Sequence, residues 1–391
     1  MARPAWALVG LYCALSAARI ALAVRNWRRV EASARATSHP PVEPVETRAH
    51  AVPTRTGQVT VMQPILSGDP ALPRLLAENL ANHPGVRFLW LVDAEDDEGR
   101  LITETLAAGE PDRVEVLLCP PCPPLTNPKV FKLALGLPRC TELLAVLDDD
   151  TVLPPGALDR AHAALTDADL ATGIPWYQAA DGPWAGLVAG FVNGNALVSY
   201  FPLLGFGRPV TINGMFYLTS RSALARAGGF EAILDRACDD YELAQLFRRA
   251  GLRLAQTTVT HPLTTDVPDA RAYVRLMHRW MVFASRLLTS SPTPPLALLV
   301  LLPAVLPPVA LAVAVGTGTA PAAVGIAGAV AAKVLAVQAV RGRLMPQVPR
   351  RFVAEYLADW LLPLQSAIAL LLPRRIVWRG RRMRIVRGRL R

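Results

Sequence analysis

The chain opens on an apolar run, Ala5–Val24, about as long as one membrane crossing. Arg19 falls inside it, close enough to one end for its side chain to reach an interface. Arg25, Arg28, Arg29 and Arg35 follow. A cleavable secretory signal carries its charge ahead of the apolar core, so this run reads as a membrane helix over residues 1–25. The basic cluster behind it places the following residues on the cytoplasmic side. Residues 26–57, rich in Pro, Ala and Thr, read as a linker.

Beyond it the pattern changes. Short apolar runs predict strands at Val59–Ile65, Val86–Asp93, Arg113–Cys119, Leu143–Asp148 and Leu170–Ile174. Helical spacing between them predicts helices near 71–82, 98–108, 128–137 and 155–166. Val86–Asp93 is almost continuously apolar, as a strand buried on both faces must be. This alternation predicts an α/β domain over residues 58–267, a mostly parallel sheet with helices on both faces. Ligands of such sheets bind beyond the carboxyl ends of the strands, where Asp93 and Asp148 stand.

Further on, Val210–Thr219 is strand-like, a helical pattern begins near Asp239, and Pro268–Leu288 is amphipathic. Residues 268–292 are therefore expected to form an interfacial helix. Apolar segments Leu296–Val315, Ala320–Val340 and Leu357–Leu372 make residues 293–373 a membrane region. The first two are long enough to span. Lys333 in the second must face protein, water or an interface. The third is short, with Glu355 just ahead of it and Asp359 and Gln365 inside it. It reads as re-entrant or interfacial, leaving residues 374–391 as a basic cytoplasmic tail. No tandem repeat is visible.

Composition sharpens this reading. Hydrophobic residues make up 52% of the 391 and charged residues 18%, too apolar for an ordinary soluble enzyme. The formal net charge is +10, but Arg374–Arg391 holds nine Arg and no acid, so the rest of the chain is nearly neutral. A basic run beside a hydrophobic segment is a contact for anionic lipid, about 1 kcal/mol per basic residue near the surface, rather than for nucleic acid. The five Cys are irregularly spaced and make no disulfide framework. Cys119-Pro-Pro-Cys122 lacks the second ligand pair that zinc requires.

Chemistry concentrates in three places. In Asp148-Asp149-Asp150, carboxylates at i and i+2 of an extended segment point the same way. Asp148 and Asp150 can then share a hard divalent cation, Mg²⁺ or Mn²⁺, that leaves positions open for phosphate oxygens. Asp239-Asp240-Tyr241 opens a helix; one of its carboxylates can serve as general base for an acceptor hydroxyl, or the pair can simply cap the helix. In His278-Arg279-Trp280 an Arg fork suits a diphosphate and a Trp face suits a sugar ring or the lipid interface. Asn213-Gly214 and Gly228-Gly229 allow close backbone approach. His261 before Pro262 reads as structural.

These pieces, in this order, resemble the ceramide glucosyltransferase group of inverting membrane glycosyltransferases, whose pattern is three separated aspartates followed by a (Q/R)xxRW box. The resemblance runs from about Val59 onward. It rests on Met62–Asp69, Val92–Asp97, Asn127-Pro128-Lys129, Asp148–Asp150, Gly214-Met215, Ala227–Gly229, Asp239–Tyr241, Arg279-Trp280 and Ile376–Gly380. It implies a GT-A type nucleotide-diphospho-sugar transferase fold with transmembrane helices, at the cell inner membrane. It further implies that Asp93, Lys129, Asp148, Asp149 and Gly214 contact the donor, that Asp148 and Asp150 hold the metal, and that Asp240, Arg279 and Trp280 are catalytic. The donor would be UDP-glucose, and the acceptor a lipid hydroxyl: ceramide, a hopanoid or diacylglycerol. The box departs from its pattern in carrying Leu276 at its first position. A processive polysaccharide synthase would share these motifs, but two to four spans are few for a polymer channel.

Overall fold

The structure is a computed structural model describing residues 3–38, 58–179, 182–372, 375–378, 381–386 and 388–391. Elements follow in chain order: α1 (Arg3–Ser38), β1 (Val59–Ile65), α2 (Leu72–Asn82), β2 (Arg87–Asp93), α3 (Asp97–Ala108), β3 (Val114–Cys119), α4 (Pro128–Gly136), β4 (Leu143–Leu147) and α5 (Ala157–Ala164). Then come β5 (Leu170–Ala179), α6 (Pro183–Leu203), β6 (Phe216–Ser220), α7 (Arg221–Ala227), α8 (Asp239–Arg249), β7 (Leu254–Thr265) and α9 (Ala270–Ser290). Three long helices follow, Pro294–Gly316, Ala320–Leu344 and Phe352–Leu371, and then strands β8 (Arg375–Trp378), β9 (Arg381–Val386) and β10 (Arg389–Leu390).

Contacts divide the chain into two units. The first comprises Arg29–Pro175, Pro209–Leu263 and Gly388–Arg391. Its seven-stranded sheet runs β3-β2-β1-β4-β6-β5-β7. β1 pairs parallel with β2 and β4, and β2 with β3; β6 is antiparallel to both β4 and β5. Side chains alternate between two cores. Val61, Phe88, Trp90 and Leu147 pack with Leu76 of α2 and Leu158 of α5. Met62, Leu89, Leu91 and Val146 pack with Leu133 of α4, Leu224 of α7 and Phe247 of α8. Covering both faces with helices is what makes these strands uniformly apolar in sequence. Buried Trp90 keeps its indole N–H satisfied by donating to Gln63 Oε1 on the neighbouring strand, 2.9 Å away. This is the GT-A architecture.

The second unit comprises Met1–Arg28, Trp176–Arg208 and Thr264–Arg387. Among the described residues, four helices are long and apolar enough to cross a membrane: Arg3–Ala36, Pro183–Phe206, Pro294–Gly316 and Ala320–Leu344. Three features differ from the sequence expectation. Pro183–Phe206 is an additional long apolar helix, masked in sequence by its Gly and Asn residues. Helix α1 continues to Ser38, well into the stretch read as a linker; residues 39–57 lie outside the described residues. Arg19 does not reach for an interface: it is buried, and its guanidinium donates to the Val198 carbonyl at 3.1 and 3.2 Å.

Two buried cations within this unit are each matched by a carboxylate, which lowers the cost of holding charge away from water. Lys333 lies 2.8 Å from Asp359, and Arg341 lies 2.7 Å from Glu355, both of whose side chains are about fully buried. Asn193 closes a two-way amide bond with the Tyr177 backbone, at 2.8 and 2.9 Å. The basic segment is ordered as strands where it is described, β8 pairing antiparallel with β9.

Candidate active site

Because β1, β2 and β4 are parallel neighbours, their carboxyl ends share one edge of the sheet. Asp93 ends β2, Leu66 and Ser67 leave β1, and Asp148-Asp149-Asp150 leaves β4. The incoming end of antiparallel β6 reaches the same edge, where the Asp148 amide donates to the Met215 carbonyl at 2.9 Å and so brings Gly214 alongside. The Gly214 turn is fixed from behind: Thr172 Oγ1 accepts from the Asn213 amide at 3.1 Å, and Asn213 Oδ1 accepts from the Met215 amide at 3.0 Å.

Two lysines of α4 face this edge. The helix starts where it does because Pro128 supplies a preset φ and Asn127 Oδ1 accepts from the Lys129 and Val130 amides. Lys129 and Lys132, three apart, fall on one helix face. Lys132 Nζ lies 2.8 Å from Asp93 Oδ2 and donates to the Ile65 carbonyl at 2.7 Å, tying the ends of β1 and β2 together. Lys129 Nζ lies 2.6 Å from Asp148 Oδ1 and 3.4 Å from Asp239 Oδ2, and donates to the Gly214 carbonyl at 2.7 Å. Burial alone would lower the pKa of Lys129, but Asp148 and Asp239 more than offset it, so the ammonium stays charged.

The acids are not equivalent. Asp149 Oδ2 accepts from the Leu66 amide at 2.7 Å, pinning the exit of β1 to the acidic turn. Asp96 does likewise one residue on, accepting from the Ser67 amide at 2.9 Å and from its hydroxyl at 2.5 Å. Asp150 is pushed up to about 8 by burial and by Asp148 and Asp149 beside it. Asp240 is pushed up to about 6 by burial and then by Asp239. Its carboxylate accepts from the Tyr241 amide at 2.6 Å and from the Cys238 thiol at 2.9 Å. Gly214 is required opposite it: a Cβ there would lie 3.0 Å from Asp240 Cβ and 3.4 Å from Oδ2.

The segment leading into this acidic pair is held from two sides. Asn127 donates to the Arg236 carbonyl at 3.0 Å through its side chain and to the Leu234 carbonyl at 2.7 Å through its amide. Residues 388–390 form a short ladder with it: Ala237 N to Gly388 O at 3.1 Å and Leu390 N to Asp235 O at 2.9 Å, with Leu390 buried.

Asp93, Lys129, Asp148, Asp149, Asp150, Gly214 and Asp240 thus all belong to one unit and one edge of its sheet. Arg279 and Trp280 belong to the other unit, on α9. There Trp280 stands edge-on to Tyr177, ring centroids 5.7 Å apart, and tilted against Phe191 at 6.1 Å. Three participants escaped the sequence reading: Lys132, Asp239 as a partner of Lys129, and Cys238. The spacing Lys129-x-x-Lys132 behind an Asn-Pro cap was the available signal for the first. Nothing in the sequence marks Cys238.

A divalent cation fits Asp148 and Asp150. The negative charge beside Asp150, which raises its proton affinity, is the kind a dication relieves. Among the described residues no three His, Cys, Asp or Glu side chains close a site by themselves.

Comparison with known proteins gives three findings. The model of glycosyl transferase family 21 matches residues 14–390. Ceramide glucosyltransferase 1 of Caenorhabditis elegans is 26% identical over 215 residues, 54% of this chain; the match spans 45% of that protein's length, under half of it. A mannosyltransferase from Pyrobaculum calidifontis, solved with GDP-Man and Mn²⁺, superposes with a TM-score of 0.51 at 18% identity, over 93% of this chain and 99% of that one. It shares the fold.

Proposed function

The chain belongs to glycosyl transferase family 21, and from that premise we propose that it transfers glucose from UDP-glucose to the hydroxyl of a membrane lipid, ceramide-like, with inversion at the anomeric carbon. The observation that carries this reading is the convergence of Asp93, Asp148, Asp150, Asp239 and Asp240 around two buried lysines at the carboxyl edge of one sheet. An acid-rich edge that also holds fixed cations suits a ligand whose charge is metal-bound phosphate.

Each residue then has a task. Asp93, at the end of β2, faces the nucleotide and is held there by Lys132. Asp148 and Asp150 would hold Mg²⁺ or Mn²⁺, which when bound would supply positive charge to the diphosphate. Lys129, already charged and buried, places a further positive charge beside the departing oxygens. Gly214 presents backbone to the donor without a side chain in the way. Asp240, with a pKa near 6, is ionised at neutral pH yet basic enough to take the hydroxyl proton as the new bond forms. A single displacement with one base inverts the anomeric centre. Arg279 and Trp280, on α9, are assigned to catalysis by the family pattern alone.

The membrane side of the proposal rests on the four long apolar helices and the family relative's lipid substrate. We place the protein in the cell membrane with its acid-lined unit on the cytoplasmic side, because Arg25, Arg28, Arg29 and Arg35 follow the first apolar run. The Arg-rich segment 374–391 meets anionic lipid there. Mass spectrometry of lipids from a host expressing the chain tests the reading, since it identifies sugar and acceptor together. One hexose on a ceramide-like lipid is expected. Hexosylated hopanoid or diacylglycerol would replace the acceptor, and a long polymer would replace the reaction class.

A further inference from the structure

Cys238 has no part in the chemistry above, yet it is the side chain that grips Asp240. Its Sγ lies 2.9 Å from Asp240 Oδ1, short for a bond from sulfur. The thiol is buried, and burial, then the Asp240 carboxylate, pushes its pKa well above the ordinary range. It therefore stays protonated, and toward the ionised Asp240 carboxylate, which has no proton to give, it is the donor. Oδ1 receives a second donor, the Tyr241 amide, at 2.6 Å. Both bonds fall on the same oxygen. Oδ2 is the oxygen turned toward Gly214, where only a missing Cβ leaves room.

The thiol is itself anchored. Cys238 follows directly on residues 235–237, which are hydrogen-bonded by Asn127 on one side and by Gly388 and Leu390 on the other. A thiol on a loose loop could not orient a carboxylate; one on a doubly held ribbon can.

We propose that Cys238 is a positioning residue for the general base, fixing Asp240 through Oδ1 so that Oδ2 is presented to the acceptor hydroxyl. This deepens the proposed function and rests on Asp240 being the base. The charged and titratable groups around Asp240 are Asp239 on its own helix, Lys129 from α4, Tyr217 from β6 and Cys238 itself. Burial and Asp239 disfavour the carboxylate. Cys238, the Tyr241 amide and Lys129 favour it. Removing the thiol donor therefore raises the proton affinity of Asp240, and the acid limb of the rate profile moves to higher pH.

The experiment measures kcat/KM for the full chain in nanodiscs from pH 5 to 9, with UDP-glucose, Mn²⁺ and a lipid extract. Wild type should rise through a pH near 6. For Cys238→Ala the limb should move up by about one unit, so that rates on the acid side fall about tenfold while donor KM and the alkaline plateau hold within about twofold. Cys238→Ser, whose hydroxyl restores the donor, should return the limb to the wild-type position. An unmoved limb in Cys238→Ala, or a serine variant that behaves as the alanine variant does, overturns the proposal. Asp240→Asn separates the two levels. If it transfers sugar at the wild-type rate, the base assignment falls; if it is inactive while Cys238→Ala is unshifted, only the positioning role falls. Infrared spectroscopy reads the bond without relying on the alanine variant folding. The S–H stretch lost in Cys238→Ser should lie at the frequency of a strongly hydrogen-bonded thiol and should rise in Asp240→Asn. A free-thiol frequency in the wild type also overturns it.

Discussion

Replacing Lys129 with Met keeps the length of the side chain and removes the charge that Asp148 and Asp239 contact directly and that Asp150 and Asp240 also feel. At the 2.6 and 3.4 Å contacts, the gross attraction is about 5–6 kcal/mol per pair at an effective dielectric near 20, before the desolvation of the ammonium is set against it. Measured losses on deleting one partner of a buried pair run to about 3–5 kcal/mol. Asp148 and Asp239 retain 27% and 19% of their side-chain exposure, so water relieves part of the loss and the lower end, about 3 kcal/mol, applies. At about 2–4 °C per kcal/mol for a unit of this size, thermal unfolding should fall by about 6–12 °C at pH 8. The sign with pH is fixed. Carboxyls whose folded pKa is raised, Asp240 to about 6 and Asp150 to about 8, contribute stability below their unfolded value near 4 and lose it as pH climbs through the folded value. Without Lys129 those folded values climb further. The penalty should therefore be largest at pH 8 and shrink toward pH 5. Unfolding of the detergent-solubilised protein at both pH values is the assay. An equal loss at pH 5 and pH 8 would mean that Lys129 matters for packing and not for charge.

Three further outcomes are expected. Asp149→Ala frees the Leu66 amide from its 2.7 Å bond and should raise donor KM several-fold, while Asp149→Asn, which keeps an acceptor oxygen, should stay near wild type in steady-state kinetics. Gly214→Ala pushes a methyl to 3.0 Å from Asp240 Cβ and should lower kcat by about tenfold or more, with thermal unfolding changed little, because the base and not the core is displaced. Glu355→Gln leaves Arg341 without its buried counter-charge and should cost about 3–5 kcal/mol, read as a lower melting temperature in detergent; Glu355→Gln with Arg341→Leu together should recover much of it.

How much could be read from the sequence divides along physical lines. β1 through β4 were legible to within a residue or two, because strands buried on both faces leave continuous apolar runs such as Phe88–Val92. β6 was legible only as the longer run Val210–Thr219. Its first part is the Gly214 turn, held by Thr172 from a distant strand, and no local pattern encodes that contact. The helix Pro183–Phe206 went unread because Gly186, Gly190, Asn193, Gly194 and Asn195 interrupt its apolar face. In the structure those residues have other duties: a Cβ at Gly190 would lie 2.6 Å from the Ala354 backbone, and Asn193 pairs with Tyr177. The Arg-rich segment read as a tail because charge hid the alternation; Met383 and Ile385 are buried at i and i+2, as strand residues are. The acidic residues of the site were legible as motifs. Their partners Lys132 and Cys238 were not, since an ion pair between α4 and the end of β2, or a thiol against a carboxylate, exists only after folding.

At the carboxyl edge of one sheet, the proposed function divides the acids between holding the donor and activating the acceptor. The direct test measures UDP-glucose binding with Mn²⁺ and sugar transfer to lipid on the same preparations of wild type, Asp150→Asn and Asp240→Asn. Asp240→Asn should bind donor as wild type does and transfer about 10²–10⁴-fold more slowly, while Asp150→Asn should lose the metal-dependent part of donor binding. Undiminished transfer by Asp240→Asn, or metal-dependent binding that survives in Asp150→Asn, would contradict the account.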